Sequence, residues 1–400
     1  MKKVANNFIF IGGIIKGLGI DLVSKSKGFP QYAANKFQLS LIKGFQENYL
    51  KFDFVNLPFI GSYPTLHKKI WISRNRINFS SFSIVSLGFC NFMKLKHFSR
   101  FISLLFYSIL KWRRGDFKIV VYSVHLPFIL AVSILKMFNP KIKVVLIVLD
   151  LPGLMRPNNN YFLRQYFQDK IYSFLYRRYC DGFILLTKYM PSKMNFGSKP
   201  FLVIEGIADS SEFNSIKTNH DFGTYILYAG GIDLKYGIKE LIESFQSIKR
   251  QDVQLILCGG GDYANTLKKI CIEFNNIYYL GIKTPEEIFE LQKGAFLLVN
   301  PRLNNQEFVK YSFPSKVIES MNSGTPLVHH MLPGIPEEYY EYSFVFSGDK
   351  VSDMTDTFNS LLSLSTDKLN EMGNSAKQFI SLKKSAKIQT KKIIDFIEKL

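Results

Sequence analysis

Short apolar runs alternate with longer amphipathic stretches twice along this chain, and that alternation restricts the fold more than any other feature. In the first part the runs are FIFIGG, KIVVYSVH, KVVLIVLD, GFILLTK and PFLVIEG, with helical patterning between them. In the second part they are YILYAGG, VQLILCGGG, IYYLG and AFLLVNP, separated by GIKELIESFQSI, YANTLKKICIEF and PEEIFELQKG. Continuous apolar runs mark strands buried on both faces, which a parallel sheet with crossover helices requires. The polar segment ADSSEFNSIKTNHDFGT separates the two series. The expected fold is therefore α/β, with two doubly wound domains at residues 1–207 and 222–380. A terminal helical segment at 381–400, rich in Lys, can return to the first domain. Ligands of such sheets bind outside the carboxyl ends of the strands, so the two halves are expected to face a central cleft.

The composition fits that layout: 47% of residues are hydrophobic and 21% charged, enough apolar surface for two cores. A formal net charge of +19 calls for an acidic partner, whether nucleic acid, anionic lipid or a phosphorylated small molecule. Zinc-finger spacing, an RNP-like aromatic pair and long Lys/Arg runs are all missing from the sequence, which argues against nucleic acid. Cys90, Cys180, Cys258 and Cys271 are scattered without a C-x-x-C pair and read as reduced, buried thiols. The start, MKKVANNFIFIGGIIKGLG, has a short apolar run broken by Asn6 and Asn7 and reads as a first strand and loop. Ile119 to Leu135 is long and uncharged enough to suggest a membrane span, but His125, Pro127 and two serines interrupt it. A strand, a tight turn carrying His125 and a helix begun by Pro127 account for the same residues.

The candidate chemistry sits at strand ends. In YAGGIDLKYGIKELIESF, Gly230 and Gly231 permit close backbone approach and Lys235 can reach over the strand ends, which suits a phosphate. Asn300, Pro301 and Arg302 follow the strand AFLLVNP. In YSFPSKVIESMNSGTPLV, Pro314 and Ser315 open a helix, Gly324 closes it, and Lys316 and Glu319 stand near its start. His329 and His330 after TPLV read as strand-end packing. The spacing holds no metal motif such as H-E-x-x-H or clustered Cys/His, and no G-x-S-x-G.

Together GG…KYG…LIESF, LILCGGG, FPSKVIESMNSGTPLV and LPGIPEEYYEY, in that order from about Tyr225 to Tyr342, resemble the nucleotide-sugar domain of retaining GT-B glycosyltransferases of the family 4 type. The resemblance implies a GT-B fold of two Rossmann-like domains, the first binding the acceptor and the second a nucleotide diphosphate sugar. It implies that Glu319, matching the second Glu of an E-x7-E motif, holds the donor ribose hydroxyls. Lys235 would pair with the donor diphosphate and stabilise the leaving group. Gly231, Asn300, Arg302, Ser315 and Lys316 join them as donor-binding residues. Two departures stand out: Tyr311 replaces the first Glu of the motif, and Ile232 stands where an Arg commonly follows the glycine. Lys316 is the candidate to replace that Arg. No cofactor or metal is implied, because basic side chains and a helix N-terminus can handle the diphosphate.

In the first half, FIGGIIKGLG resembles the family's N-terminal glycine loop, which makes Gly13 a donor-binding candidate, although G-x-G-x-x-G is absent. His125 resembles the family's histidine beside the reacting sugar and is the catalytic candidate, against the bland reading of a structural histidine. Asp150 and Glu205, at the ends of later strands, could bind acceptor hydroxyls or cap the following helices. KLKHFSRFISLLFYSILKWRRGDFK, Lys94 to Lys118, has an apolar aromatic centre and basic ends, as for a helix at an anionic bilayer or a core helix with a basic tail. The resemblance thus implies a retaining, metal-independent transferase acting on a glycan or lipid-linked acceptor in bacterial surface polysaccharide synthesis. Its place would be cytoplasmic, peripheral at the inner face of the plasma membrane. An epimerase, an inverting transferase, and a nucleotide-binding module without transferase activity remain the rivals.

Overall fold

The computed structural model describes residues 7–28, 30–151, 162–208 and 222–400, without the side chains of residues 162–168. The segment 209–221, which holds most of the sequence join between the halves, lies outside the described residues. The chain divides into two compact units: Met1–Ile207 with Ala386–Leu400, and Ala208–Ser385.

The first unit is built on an eight-stranded sheet. Its strands are β1 (Phe8–Gly12), β2 (Phe52–Asn56), β3 (Asn75–Asn78), β4 (Phe82–Ser86), β5 (Lys118–Tyr122), β6 (Lys143–Val148), β7 (Gly182–Leu185) and β8 (Phe201–Val203). They lie in the order β8-β7-β6-β5-β1-β2-β4-β3, with all neighbours parallel except the β3–β4 pair. The chain leaves β1 towards one edge and returns past it at β5, so the order reverses between these two strands. Such a reversal opens a crevice at the carboxyl ends, because the connections on either side depart in opposite directions.

Helices α1 (Tyr32–Glu47), α2 (Lys96–Trp112), α3 (Leu126–Phe138) and α4 (Phe162–Tyr179) belong to this unit. His125 precedes α3 and Pro127 falls in its first turn, where a missing N–H costs nothing. The terminal helix Ala386–Glu398 completes the unit. Its Ile393, Ile394 and Ile397 join the core built on Phe10, Phe45 and Phe54. Asn48 at the end of α1 donates to Lys387 O at 2.8 Å and Thr390 Oγ1 at 2.9 Å.

The second unit has a six-stranded parallel sheet of β9 (Tyr225–Ala229), β10 (Gln254–Cys258), β11 (Ile277–Tyr279), β12 (Leu297–Asn300), β13 (Leu327–His329) and β14 (Phe344–Val345), in the order β11-β10-β9-β12-β13-β14. The order reverses between β9 and β12. Helices α5 (Ile238–Gln246), α6 (Ala264–Glu273), α7 (Pro285–Gly294), α8 (Ser315–Ser323), α9 (Val351–Leu362) and α10 (Thr366–Phe379) connect and cover the strands. Thr284 and Glu287 form a capping box at the start of α7, satisfying two backbone donors reciprocally. Gly324 ends α8 with φ of 86°, the left-handed conformation that lets the chain turn straight into β13. The helix Ala386–Glu398 is numbered α11.

Each unit thus has the parallel, doubly wound α/β topology expected from the apolar runs. β2, β3, β4 and β14 are strands that the runs did not indicate.

Candidate active site

At the reversal of the second sheet, the loops after β9 and β12 press together. Gly230 N–H donates to Cys258 O at 2.9 Å and Ile232 N–H to Gly260 O at 2.9 Å, which holds the glycine turn against the end of β10. A methyl group at Gly237 would lie 2.1 Å from Pro301 O, so the two loops can meet only with glycine there. Tyr228 donates its hydroxyl to Gly231 O at 2.8 Å and braces the turn from below.

Two cations converge on this edge. Lys235 is exposed, its ammonium 5.0 Å from the Tyr236 ring centre, and the Arg302 guanidinium lies 4.9 Å from the same ring. Arg302 also stacks on Phe308 at 5.5 Å and donates to Ser312 Oγ at 3.4 Å, which ties the end of β12 to the entry of α8. Burial lowers the Arg302 pKa from the usual arginine value. Asn300 Oδ1 accepts from Arg302 N–H at 3.5 Å, while its Nδ2 is buried without a partner among the described residues.

On α8, Val317, Ile318, Ser320 and Met321 face inward. Ser315 is exposed at the first position, and Lys316 and Glu319 form a half-exposed ion pair at 2.8 Å, one turn apart. Tyr311 closes the 3-10 turn Glu307–Tyr311 just before this helix. Gly231, Lys235, Asn300, Arg302, Ser315, Lys316 and Glu319 therefore all lie at the carboxyl edge of one sheet. His329 and His330 are buried beside them: His329 bonds His330 O and Ser343 Oγ, each at 2.9 Å, and His330 Nδ1 lies 3.1 Å from Asp349 Oδ1.

In the first unit the reversal places Gly13, after β1, next to the turn after β5 that carries His125. Three amides of the glycine loop, those of Gly13, Ile15 and Lys16, are already taken by side chains. Gly13 N–H donates to Gln38 Oε1 at 2.7 Å, and Ile15 N–H donates to Asn35 Oδ1 at 2.8 Å. A methyl group at Gly13 would lie 2.6 Å from Leu57 O and 2.7 Å from the Phe59 ring, so this glycine admits the loop after β2.

His125 is half-buried, and its Nε2 lies 2.9 Å from Arg100 Nη1. Burial, then the Arg100 charge, pushes the imidazole down to about 2. Arg100 itself is 2% exposed, donates to Leu57 O and to Pro58 O (3.0 Å), and sits over Phe59, Phe89 and Phe128. Lys96, one turn earlier, donates to Ile60 O, and burial pushes it down to about 8. Neither Lys96 nor Arg100 stood out in the sequence. The helical pattern points the other way: the buried stripe Lys96, Arg100, Leu104, Ser108 and Trp112 carries both cations and reads as a solvent face, while Phe98, Phe106 and Leu110 are exposed.

Asp150 is exposed just beyond the end of β6. Glu205 is buried beyond β8, where the neighbouring Gly206 O accepts from Gln389 of α11 at 3.0 Å. Asp150 lies one strand from His125, and Glu205 at the far edge of the sheet.

Residues 210–379 match the family model described as Glycosyl transferases group 1. The match covers 170 of the 400 residues and lies within the second unit. No curated protein sequence matches the chain. Among solved structures, sucrose-phosphate synthase from Thermosynechococcus elongatus is 13% identical over 98% of both chains, with a TM-score of 0.68. HepE from Anabaena, in complex with UDP, is 13% identical over 98% of this chain and 100% of that one, with a TM-score of 0.64. A trehalose-6-phosphate synthase studied for glycosyltransfer with retention is 9% identical over 98% and 99%, with a TM-score of 0.66. At such identities the likeness concerns the fold: two α/β domains of the GT-B glycosyltransferase type.

Proposed function

We propose that the chain transfers a sugar, with retention of anomeric configuration, from a nucleotide diphosphate sugar to a lipid-linked glycan acceptor. The process would be bacterial surface polysaccharide synthesis at the inner face of the plasma membrane. The observation that carries the donor half is the meeting of Lys235 and Arg302 on the Tyr236 ring at the sheet reversal, with Lys316 and Glu319 on the adjoining helix. Two cations at the N-terminal side of helices suit a diphosphate, and a carboxylate one turn on suits a vicinal diol. Gly231 and Asn300 would shape the floor of this site, and Ser315 would offer its hydroxyl at the start of α8. The UDP and UDP-glucose bound in the HepE structures support a nucleotide sugar as the donor class. Lys316 has a double part, since it holds the Glu319 carboxylate while presenting its own charge. In the first unit His125 would stand beside the reacting sugar, and Asp150 and Glu205 would serve the acceptor. Gly13 would act through the close loop packing that it permits, because its amide is occupied.

Calorimetric titration with UDP, GDP, ADP and CMP tests the donor site. One nucleotide is expected to bind, and Glu319→Ala and Lys235→Ala to weaken it about tenfold or more each, ~1.4 kcal/mol. Binding of none of the four would sink the reading.

The acceptor's lipid is supported by α2. This helix exposes Phe98, Phe106 and Leu110 (63%, 61% and 82%) while burying Lys96 and Arg100. Lys94, Lys111, Arg113 and Arg114 are exposed around them, and the stretch from Lys94 to Gly115 contains no Asp or Glu. Exposed aromatic and aliphatic groups ringed by cations suit an anionic bilayer surface. Among the described residues no helix is long and apolar enough to cross a membrane. In vesicle flotation the protein should float with anionic lipid and not with neutral lipid, and Phe106→Glu with Leu110→Glu should abolish it. Equal flotation of the double variant removes this surface from the proposal.

A further inference from the structure

We propose that Arg100 is a positioning residue that fixes the His125 imidazole as its Nδ1–H tautomer, so that Nδ1–H is the bond His125 offers to a substrate. This rests on the reading of His125 as a group beside the reacting sugar, and it adds a partner and a protonation state to that reading.

A guanidinium carries only donors, so a nitrogen 2.9 Å from Arg100 Nη1 must be the accepting one. That nitrogen is Nε2, which puts the imidazole proton on Nδ1. Nδ1 has no hydrogen-bond partner among the described residues, and the ring is half-buried rather than enclosed. The ring cannot turn freely: Phe128 meets it edge to face at 4.6 Å, Phe59 at 5.8 Å and His97 at 5.4 Å.

Arg100 is equally fixed. Its other donors hold Leu57 O and Pro58 O, and three aromatic rings surround the guanidinium. One side chain therefore joins the loop after β2, helix α2 and the turn after β5. The charged and titratable groups facing His125 are Arg100, His97 and Lys96, all on α2 and all basic. They disfavour an imidazolium, so His125 acts as a neutral donor to a sugar or leaving-group oxygen and carries no proton across at neutral pH.

The test is long-range nitrogen–proton NMR of the full chain labelled with ¹⁵N-histidine. The six histidines give the signals, and the set lost in His125→Gln is assigned to His125. The expected wild-type result is a bare Nε2 and a protonated Nδ1 throughout pH 5.5–8. An Nε2–H or imidazolium form of His125 in that range overturns the proposal before any Arg100 variant is made. Arg100→Met, which removes every donor, should release the tautomer, so that an Nε2–H form appears, while burial still keeps the ring neutral. Arg100→Lys should restore part of the wild-type pattern. A tautomer unchanged in a folded Arg100→Met protein defeats the positioning role whatever the activity. In transfer assays Arg100→Met should lower kcat about tenfold or more while the donor KM stays within about twofold. A changed tautomer with unchanged kcat would instead defeat the reading of His125 as a reacting-site group.

Discussion

Gly259→Ala is expected to destabilise the second unit by ~3 kcal/mol or more and to abolish nucleotide binding. Gly259 follows β10 with φ of 139°, and a methyl group there would lie 1.7 Å from Gly230 O. The obstacle is backbone, not a flexible side-chain end, so the turn that carries Gly230 and Gly231 must move or the strand end must yield. Either displacement takes Lys235 and Tyr236 away from Arg302. Gly281→Ala is the matched control, because Gly281 also has positive φ (70°) but nothing within 4 Å of its added methyl. It should cost only the ~1 kcal/mol of the left-handed backbone and leave binding intact. Denaturant unfolding and calorimetry measure both, and a Gly259→Ala protein that binds nucleotide like the wild type would refute the steric account.

Acid is expected to weaken both units well before most carboxylates titrate. Burial pushes His329 down to about 4 from an ordinary 6.5, and His125 down to about 2. The folded pKa lies below the unfolded one, so the unfolded chain takes up the proton first. The stability contributed by each neutral ring is complete above about pH 6.5 and is lost as pH falls. For His329 the loss runs from pH 6.5 to about 4 and amounts to about 3 kcal/mol at 1.36 kcal/mol per pKa unit. His125 continues to lose below that. Unfolding free energies at pH 7, 5.5 and 4.5, for wild type and His329→Gln, isolate the effect. Identical pH slopes for the two proteins would show that His329 is protonated as easily in the fold as out of it.

The second unit was almost wholly legible in the sequence, because its central strands are unbroken apolar runs and its turns carry glycine where close approach demands it. The first unit was legible only in part. Phe52–Asn56 and Phe82–Ser86 contain Asp, Asn and Ser, and nothing in either segment alone marks it as a buried parallel strand. The pairing explains them: Ser83 donates to Asp53 Oδ1 at 3.0 Å, and Asn56 donates to Ser86 Oγ at 3.1 Å. These pairs follow the strand register, Asp53 opposite Ser83 and Asn56 opposite Ser86. Polar groups that satisfy each other across a sheet read as loop residues until the partner strand is known. Arg100 was hidden for the same reason. Its burial depends on the carbonyls of Leu57 and Pro58 and on three rings from distant segments, and a local pattern contains none of them.

Helix α11 has a consequence for synthesis on the ribosome. The first unit needs Ile393, Ile394 and Ile397 in its core, so its folding cannot finish until the chain has been made through those residues. The second unit requires nothing beyond Ser385 and can fold while the first still waits. The order of translation is thus opposite to the order in which the two units become complete. A nonsense codon near residue 385 would release a complete second unit attached to an unfinished partner, with the surface of α1 that α11 covers left exposed to chaperones and proteases.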